Sequence, residues 1–203
     1  MEFILKTLEY FNKGGLVMYP LLICSIIVVA ISIERYMYFK TTSSGSQFTE
    51  RFCVLLREEK LNDALNLSTQ TKGDTARIMY ESIQRIQKGK KNTRQYLETE
   101  SNSYIDRLQY HLSYLSVIVT MAPLLGLLGT IIGMISSFSV FDLQSGQPTA
   151  ITGGIAEALI ATATGICVAL ISLVAHSYFT HNITIIISNL EECCAKLLET
   201  TDI

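Results

Sequence analysis

The chain has 203 residues, of which 49% are hydrophobic and 17% are charged, and its formal net charge at pH 7 is −2. Soluble domains usually carry roughly 25% charged residues. The deficit is concentrated in three runs without Asp, Glu, Lys or Arg, at 14–33, 108–141 and 158–190. Each run reaches the ~20 residues that cross a bilayer. The composition excludes an ordinary soluble domain and predicts an all-α integral membrane protein with three transmembrane helices.

The first 40 residues predict a surface helix followed by the first span. Residues 1–13 fit a short amphipathic helix lying in the membrane surface, with a disordered N-terminus as the alternative. Residues 14–40 form span 1, and Glu34 and Arg35 close it as a membrane anchor together with the aromatic residues that follow. A secretory signal peptide would have a shorter apolar core and a small-residue cleavage site.

A helical cytoplasmic insert, residues 41–107, is predicted between spans 1 and 2. Its apolar residues recur at helical spacing, which indicates amphipathic helices. They are Phe48, Phe52, Leu55 and Leu56, then Leu61, Ala64, Leu65 and Leu67, and finally Ile78, Met79 and Ile83. The Ser, Glu and Lys residues of the insert are scattered over helix surfaces and do not resemble a catalytic constellation. We therefore expect that the protein is not an enzyme.

The helix of span 2 is predicted to extend well beyond the membrane. The apolar pattern runs without a breaker from Thr93 to Phe141, and an unbroken helix of that length would measure about 70 Å. We expect its first part to continue into the cytoplasm. The segments after the insert are span 2 at 108–141, an extracytoplasmic loop at 142–148, span 3 at 149–180 and a cytoplasmic C-terminal helix at 181–203.

The distribution of charge predicts the orientation in the membrane. Between Glu34 and Arg107 there are 13 Lys or Arg residues and 10 Asp or Glu residues, whereas 142–148 contains no Lys or Arg. Positively charged connections stay in the cytoplasm. The insert and the C-terminus are therefore expected inside the cell, and the N-terminus and the loop between spans 2 and 3 outside.

Span 3 carries one carboxylate in an otherwise apolar segment. Glu157 lies about two turns into the run GGIAEALIATATGICVALISLVAH, which occupies 153–176. An ionisable side chain at membrane depth costs at least about 2.5–3.5 kcal/mol on insertion scales, so it usually has a function. A protonated Glu157 could exchange a proton, whereas an ionised one would need a cation. The alternative is a purely structural acidic residue that the dipole of the helix N-terminus favours.

Small residues recur at intervals of three or four in spans 2 and 3. This spacing lets two membrane helices approach backbone to backbone, and packing is the simplest interpretation of the glycines. The helix-packing candidates are Gly126, Gly129, Gly133, Gly154, Ala158, Ala161, Gly165 and Ala169. Thr130 and Thr162 lie among them as further polar candidates. Each threonine alone is weak evidence, because a membrane threonine usually donates to a carbonyl of its own helix.

The cysteines and histidines predict no metal site. The five cysteines form no CxxC pair, and the three histidines, His111, His176 and His181, are scattered near the predicted cytoplasmic membrane boundary. Zinc sites need convergent Cys and His residues at short spacings. Interfacial anchoring is the expected role of the histidines, and no cofactor is expected.

The segments PLLGLLGTIIG in span 2 and GGIAEALIATATG in span 3 resemble the ExbB/TolQ/MotA proton-channel family. The resemblance covers nearly the whole chain, including the large insert after span 1 and the Glu-Arg pair that closes that span. Three spans, rather than the four of flagellar stator subunits, indicate the ExbB/TolQ branch. The short N-terminus and the short loop between spans 2 and 3 leave any periplasmic partner open.

The resemblance implies a homo-pentamer in the bacterial inner membrane around a central pore. Two copies of an ExbD/TolR-like single-span protein would occupy the pore, and a membrane aspartate of that protein would take up and release the proton. Glu157, Thr130 and Thr162 match the family's ion-path residues. A TonB- or TolA-like protein would transmit the work, and membrane lipid is a further partner, whereas no nucleic acid is expected.

Two other functions stay open at this stage. The chain could be a scaffold in which Glu157 only fixes the register of its helix, or a subunit of a flagellar or gliding stator. The residues also leave open whether the ion is H⁺ or Na⁺ and which envelope process it drives. An intramembrane enzyme lacks support, since no span contains a Ser/His, paired Asp or HExxH arrangement.

Overall fold

The computed structural model describes residues 14–90, 92–143 and 148–201, with side chains described for 14–90, 92–139 and 152–200. Within these ranges every regular element is an α-helix. The helices are α1 (Met18–Thr42), α2 (Ser46–Arg57), α3 (Leu61–Gln70), α4 (Asp74–Gln87), α5 (Thr93–Gln109), α6 (Leu112–Leu143) and α7 (Pro148–Thr201). The predicted surface helix at 1–13 and residues 144–147 of the predicted loop lie outside the described residues.

Three helical stretches in the described ranges are long and apolar enough to cross a membrane. They are Met18–Arg57, Thr93–Ser139 and Thr152–Thr200. In the most apolar 18-residue segment of each stretch, only 17%, 28% and 33%, respectively, is buried inside the chain. So much exposed apolar surface is compatible with lipid or with other membrane helices but not with water. The predicted all-α class with three long apolar helices is confirmed, and the chain is a membrane protein.

The chain divides into two compact units. The membrane unit comprises Met1–Ser32 and Leu112–Ser177, and the insert unit comprises Ile33–His111 and Tyr178–Ile203. In the membrane unit, the buried side chains include Val17, Met18 and Leu21 around the start of α1, together with small residues of α6 and α7.

The insert unit has a core of large side chains. Phe48, Phe52 and Leu56 are spaced by four residues on α2 and are at most 3% exposed, and the rings of Phe48 and Phe52 stack at 5.4 Å between centroids. Further members are Ile78, Met79, Ile83, Leu97, Tyr104, Leu108, Leu190 and Leu197. The predicted apolar stripes are therefore the buried faces, except that Leu55, Leu61, Leu65 and Leu67 are only half-buried.

A turn before α4 depends on a glycine and on a distant serine. Gly73 has a φ of 126°, and a Cβ at this position would clash with the backbone of Ser44. The hydroxyl oxygen of Ser44 accepts a hydrogen bond from the backbone N–H of Ala76 at 3.2 Å. One of the N–H groups that a helix start leaves unpaired is thus capped by a residue 32 positions earlier.

The helical stretch from Thr93 to Ser139 contains a two-residue turn at 110–111. Helix α5 ends at Gln109 and α6 begins at Leu112. The Arg35 guanidinium donates to the carbonyl oxygens of Arg107 at 3.0 Å and Leu108 at 3.3 Å. An uninterrupted helix would pair those carbonyls with N–H groups four residues later. A side-chain donor from α1 therefore reaches the last turn of α5, a link that the apolar pattern could not reveal.

Candidate functional site

Glu157 lies half-buried on α7 in the membrane unit. Its carboxyl group is packed against Gly15, in the turn before α1, so that a Cβ on Gly15 would overlap Glu157 Oε1 and come within 2.9 Å of Cδ. The stretches 14–32, 112–143 and 148–177 contain no Lys or Arg. No Lys or Arg side chain of the described membrane unit can therefore neutralise this carboxylate.

Thr162 links α7 to α6 within the membrane unit. Its Oγ1 donates to the carbonyl oxygen of Gly126 on α6 at 3.0 Å. The approach is close, because a Cβ on Gly126 would lie 3.1 Å from the Cα of Thr162. Thr164 instead donates to Ile160 on its own helix at 2.8 Å. Most membrane threonines donate to a carbonyl of their own helix. The half-buried hydroxyl group of Thr162 instead donates to a carbonyl of the neighbouring helix.

Thr130 makes a local hydrogen bond. Its Oγ1 donates to the carbonyl oxygen of Leu127 at 2.6 Å, three residues earlier on α6, and the side chain is half-buried. The contacts of Gly129 with Ala161 and of Gly133 with Ala158 place Thr130 at the level of 158–161 on α7. At 1.5 Å per residue, Glu157 and Thr162 are about 7.5 Å apart along the helix. The three polar candidates therefore lie at neighbouring levels, although no direct contact joins them.

The small residues of α6 and α7 face one another within the chain. A Cβ on Gly129 would lie 2.5 Å from the Cβ of Ala161, and one on Gly165 would lie 2.6 Å from the carbonyl oxygen of Ala122. A Cβ on Gly133 would lie 3.0 Å from the carbonyl oxygen of Gly154. Such distances leave no room for larger side chains, since real Cβ atoms rarely approach so closely. The buried members of the predicted packing set are Gly126, Gly129, Gly133, Ala158, Ala161, Gly165 and Ala169, while Gly154 is half-buried.

Two features of this unit were not predicted as site residues. The fully buried hydroxyl of Ser172 donates to the carbonyl oxygen of Leu115 on α6 at 3.1 Å, a second link between α6 and α7. The other is Gly15, whose φ is 72° and whose place beside Glu157 follows only from the fold. The available signals were the Gly-Gly pair before span 1 and the position of Ser172 on the same helix side as Glu157.

Glu34 and Arg35 form a polar cluster in the insert unit. Arg35 is 4% exposed, and its Nε donates to Glu34 Oε2 at 2.6 Å. The Nδ1 of His111 lies 2.9 Å from the same carboxylate oxygen. Arg35 also lies over the ring of Tyr38, 4.8 Å from its centroid. The guanidinium is thus held inside the chain, and the role of the pair as a membrane anchor stays a prediction.

The described residues contain no group of three or more His, Cys, Asp or Glu side chains that could hold a metal ion. The five cysteines are free thiols. In the insert unit, burial raises the pKa of the Cys193 thiol, so this thiol stays protonated and is a poor metal ligand or nucleophile.

The chain also matches a known protein family. The sequence pattern of the family described as the MotA/TolQ/ExbB proton channel family matches residues 70–192. This range includes α5, α6 and most of α7, and therefore Glu157, Thr130 and Thr162.

Several curated proteins are similar to the chain. A putative biopolymer transport protein ExbB-like 3 of Synechocystis sp. is 32% identical over 170 residues, which are 82% of this chain and 81% of that protein. The biopolymer transport protein ExbB of Salmonella typhimurium is 34% identical over 86 residues, 42% of this chain and 35% of its own length. The Tol-Pal system protein TolQ of Pseudomonas aeruginosa is 34% identical over 76 residues, 37% of this chain and 33% of its own length.

Proposed function

The chain belongs to the MotA/TolQ/ExbB proton channel family, and on this premise we propose that it is the channel subunit of an ion-driven motor in the bacterial inner membrane. The observation that carries the proposal is the half-buried carboxyl group of Glu157, in a unit whose described stretches contain no Lys or Arg. A carboxyl group at membrane depth that no Lys or Arg of the described unit neutralises is a group that can bind and release an ion.

Thr162 supports a polar path beside Glu157. Its hydroxyl bridges to a carbonyl of α6 and is only half-buried, so it can also accept a hydrogen bond from water or a passing ion's hydration shell. Thr130 lies at the level between them on α6. We assign to Glu157 the transient binding of H⁺, or of Na⁺, and to the two threonines the stabilisation of water next to it.

The energy that the ion flow releases is delivered as mechanical work to a second protein. Five copies of this chain would surround two copies of an ExbD/TolR-like single-span protein, whose membrane aspartate receives the ion from the side of Glu157. One charge that moves down 100 mV releases about 2.3 kcal/mol, enough to bias a rotation of packed helices. The tightly packed faces of α6 and α7 would keep each subunit rigid while the partner turns.

The names of the relatives support one of two types of process. The similar proteins include a biopolymer transport protein ExbB and a Tol-Pal system protein TolQ. By this similarity, the chain would energise transport through a TonB-like protein or maintain the envelope through a TolA-like protein. The insert unit and the C-terminus would face the cytoplasm, as the excess of Lys and Arg in the insert predicts.

The test replaces Glu157 with Gln, which keeps the size and removes the ionisable group. Glu191→Gln is the matched control, because Glu191 lies on the same helix in the insert unit and is exposed. In membranes, both variants should form the native oligomer and co-purify with a single-span protein that carries a membrane aspartate. Only Glu157→Gln should lose the energised envelope process, and full activity of that variant would favour the scaffold function instead.

A further inference from the structure

The turn before α1 lies against the carboxyl group of Glu157. Residues Gly14 to Val17 form this turn, and Met18 starts the helix. A Cβ on Gly14 would meet Ile160 Cγ2 at 3.2 Å, one helical turn from Glu157 on α7. The turn therefore packs on the same part of α7 that carries the carboxylate, and all of these residues belong to the membrane unit.

Gly15 is the point of closest approach in this turn. The volume that a Cβ would occupy at Gly15 is filled by Glu157, whose Oε1 would overlap it and whose Cγ would lie at 3.3 Å. The φ of Gly15 is 72°, a conformation that glycine adopts without the steric cost that other residues incur. Both the backbone and the neighbouring carboxylate therefore demand glycine here.

The same contact restricts the side chain of Glu157. A glutamate in a membrane helix can usually choose among several rotamers and can extend towards a polar region. Here one direction leads into the space above Gly15, where the carboxyl group lies against the backbone. The turn contributes no charged group, so its effect on the carboxyl group is to fix the position and to limit access.

We propose that Gly15 is a positioning residue for Glu157: its missing side chain forms the seat in which the carboxyl group rests and is shielded between ion transfers. The inference rests on the proposed function of Glu157 as the ion-binding group, and it adds the start of α1 to the ion path. Opening of the seat would then precede exchange of the ion.

The experiment measures the access of a hydrophobic carbodiimide to Glu157 in native membranes, by mass spectrometry of the modified peptide. Gly15→Ala should displace the carboxyl group from its seat and raise the rate of modification by about tenfold. Gly14→Ala is the matched control, because the closest neighbours of its added methyl are Cγ and Sδ of Met18 rather than the carboxylate. Its rate should stay within about twofold of that of the native protein.

Backbone strain at Gly15 is separated by a double-mutant cycle. Glu157→Asp withdraws the carboxyl group by one methylene, so Gly15→Ala should change the rate of modification much less in the Glu157→Asp background than in the native one. Strain alone acts equally in both backgrounds and would give additive effects. An unchanged or lower rate in Gly15→Ala, or strict additivity in the cycle, would overturn the proposal.

A second measurement leaves Gly15 intact in case Gly15→Ala does not fold. Glu157→Ala empties the seat, and amide hydrogen exchange in the peptide that covers 14–17 should become about tenfold faster. Unchanged exchange would contradict the seat. Neither readout requires ion flow. If Gly15→Ala exposes Glu157 to the carbodiimide as expected but Glu157→Gln stays active, the proposed function alone is refuted. If Glu157→Gln is inactive but Gly15→Ala has no effect on the modification of Glu157, this inference alone is refuted.

Discussion

The membrane unit and the insert unit are stabilised by opposite kinds of side chain. In the membrane unit, α6 and α7 touch through glycine and alanine, and hydroxyl groups of Thr162 and Ser172 donate across to backbone carbonyls. In the insert unit, large side chains such as Phe52 and Tyr104 fill the core. The difference is the one expected from the predicted placement of the membrane unit in lipid and of the insert unit in water. Lipid gives no hydrophobic drive between helices, so close backbone contact takes its place, whereas in water burial of large apolar groups dominates.

The comparison predicts that the insert unit is most sensitive to the removal of atoms. Phe52 is fully buried, so Phe52→Ala should lower the free energy of unfolding by about 3–5 kcal/mol. Val54→Ala is the control on the same helix, because Val54 is 50% exposed, and it should have little effect. The measurement is the loss of helical circular dichroism on titration with a denaturing detergent. Equal effects of the two substitutions would contradict the assigned core.

The membrane unit should instead be most sensitive to the addition of atoms. Gly165→Val places methyl groups against the backbone of Ala122 and Gly126, which cannot move aside without separating α6 from α7. We expect the free energy of unfolding to fall by about 3 kcal/mol, at the upper end of the range for overpacking. Gly153→Val is the control, since a Cβ there meets nothing within 4 Å. The detergent titration checks this prediction, and a tolerated Gly165→Val would disprove the close approach.

The polar cluster of the insert unit gives a third, intermediate effect. Arg35→Met removes the donor to the carbonyl groups of Arg107 and Leu108. It should lower the free energy of unfolding by about 1–3 kcal/mol. Arg35→Lys should not restore the loss, because an ammonium group lacks the planar fork that reaches both carbonyls and Glu34 together. Lys40→Met serves as the control at an exposed position of α1. Native stability in Arg35→Met would show that the guanidinium does not cap α5.

The smallest effect is expected from a single hydroxyl in the membrane unit. Thr162→Val keeps the shape of the side chain and removes its hydrogen bond to Gly126. This loss should lower the free energy of unfolding by about 0.6 kcal/mol. Thr164→Val removes a bond within α7 only, and it should leave the packing of α6 on α7 unchanged. Cysteine cross-linking between the two helices reports that packing. A larger loss of cross-linking in Thr164→Val than in Thr162→Val would contradict the assignment of Thr162 as the link between the two helices.

The local features of both units could be predicted from the sequence, and the links between distant segments could not. The three apolar runs, the stripe around Phe52 and the exceptional carboxylate of Glu157 depend on residues close together in the chain. The bond from Thr162 to Gly126 spans 36 residues, and that from Arg35 to Arg107 spans 72. Such contacts depend on which helices pair and in which register. The seat at Gly15 was missed for the same reason.

The most direct test of the central claim is ion flux through the purified complex in lipid vesicles. With a membrane potential imposed and a pH-sensitive dye inside, the native complex with its single-span partner should take up protons. The Glu157→Gln complex, with the same subunit composition, should show only the leak of empty vesicles. Replacement of H⁺ by Na⁺ as the driving ion, with a Na⁺-sensitive dye inside the vesicles, distinguishes the two candidates. Flux of either ion through Glu157→Gln equal to that of the native complex would contradict the assignment of Glu157 as the ion-binding group.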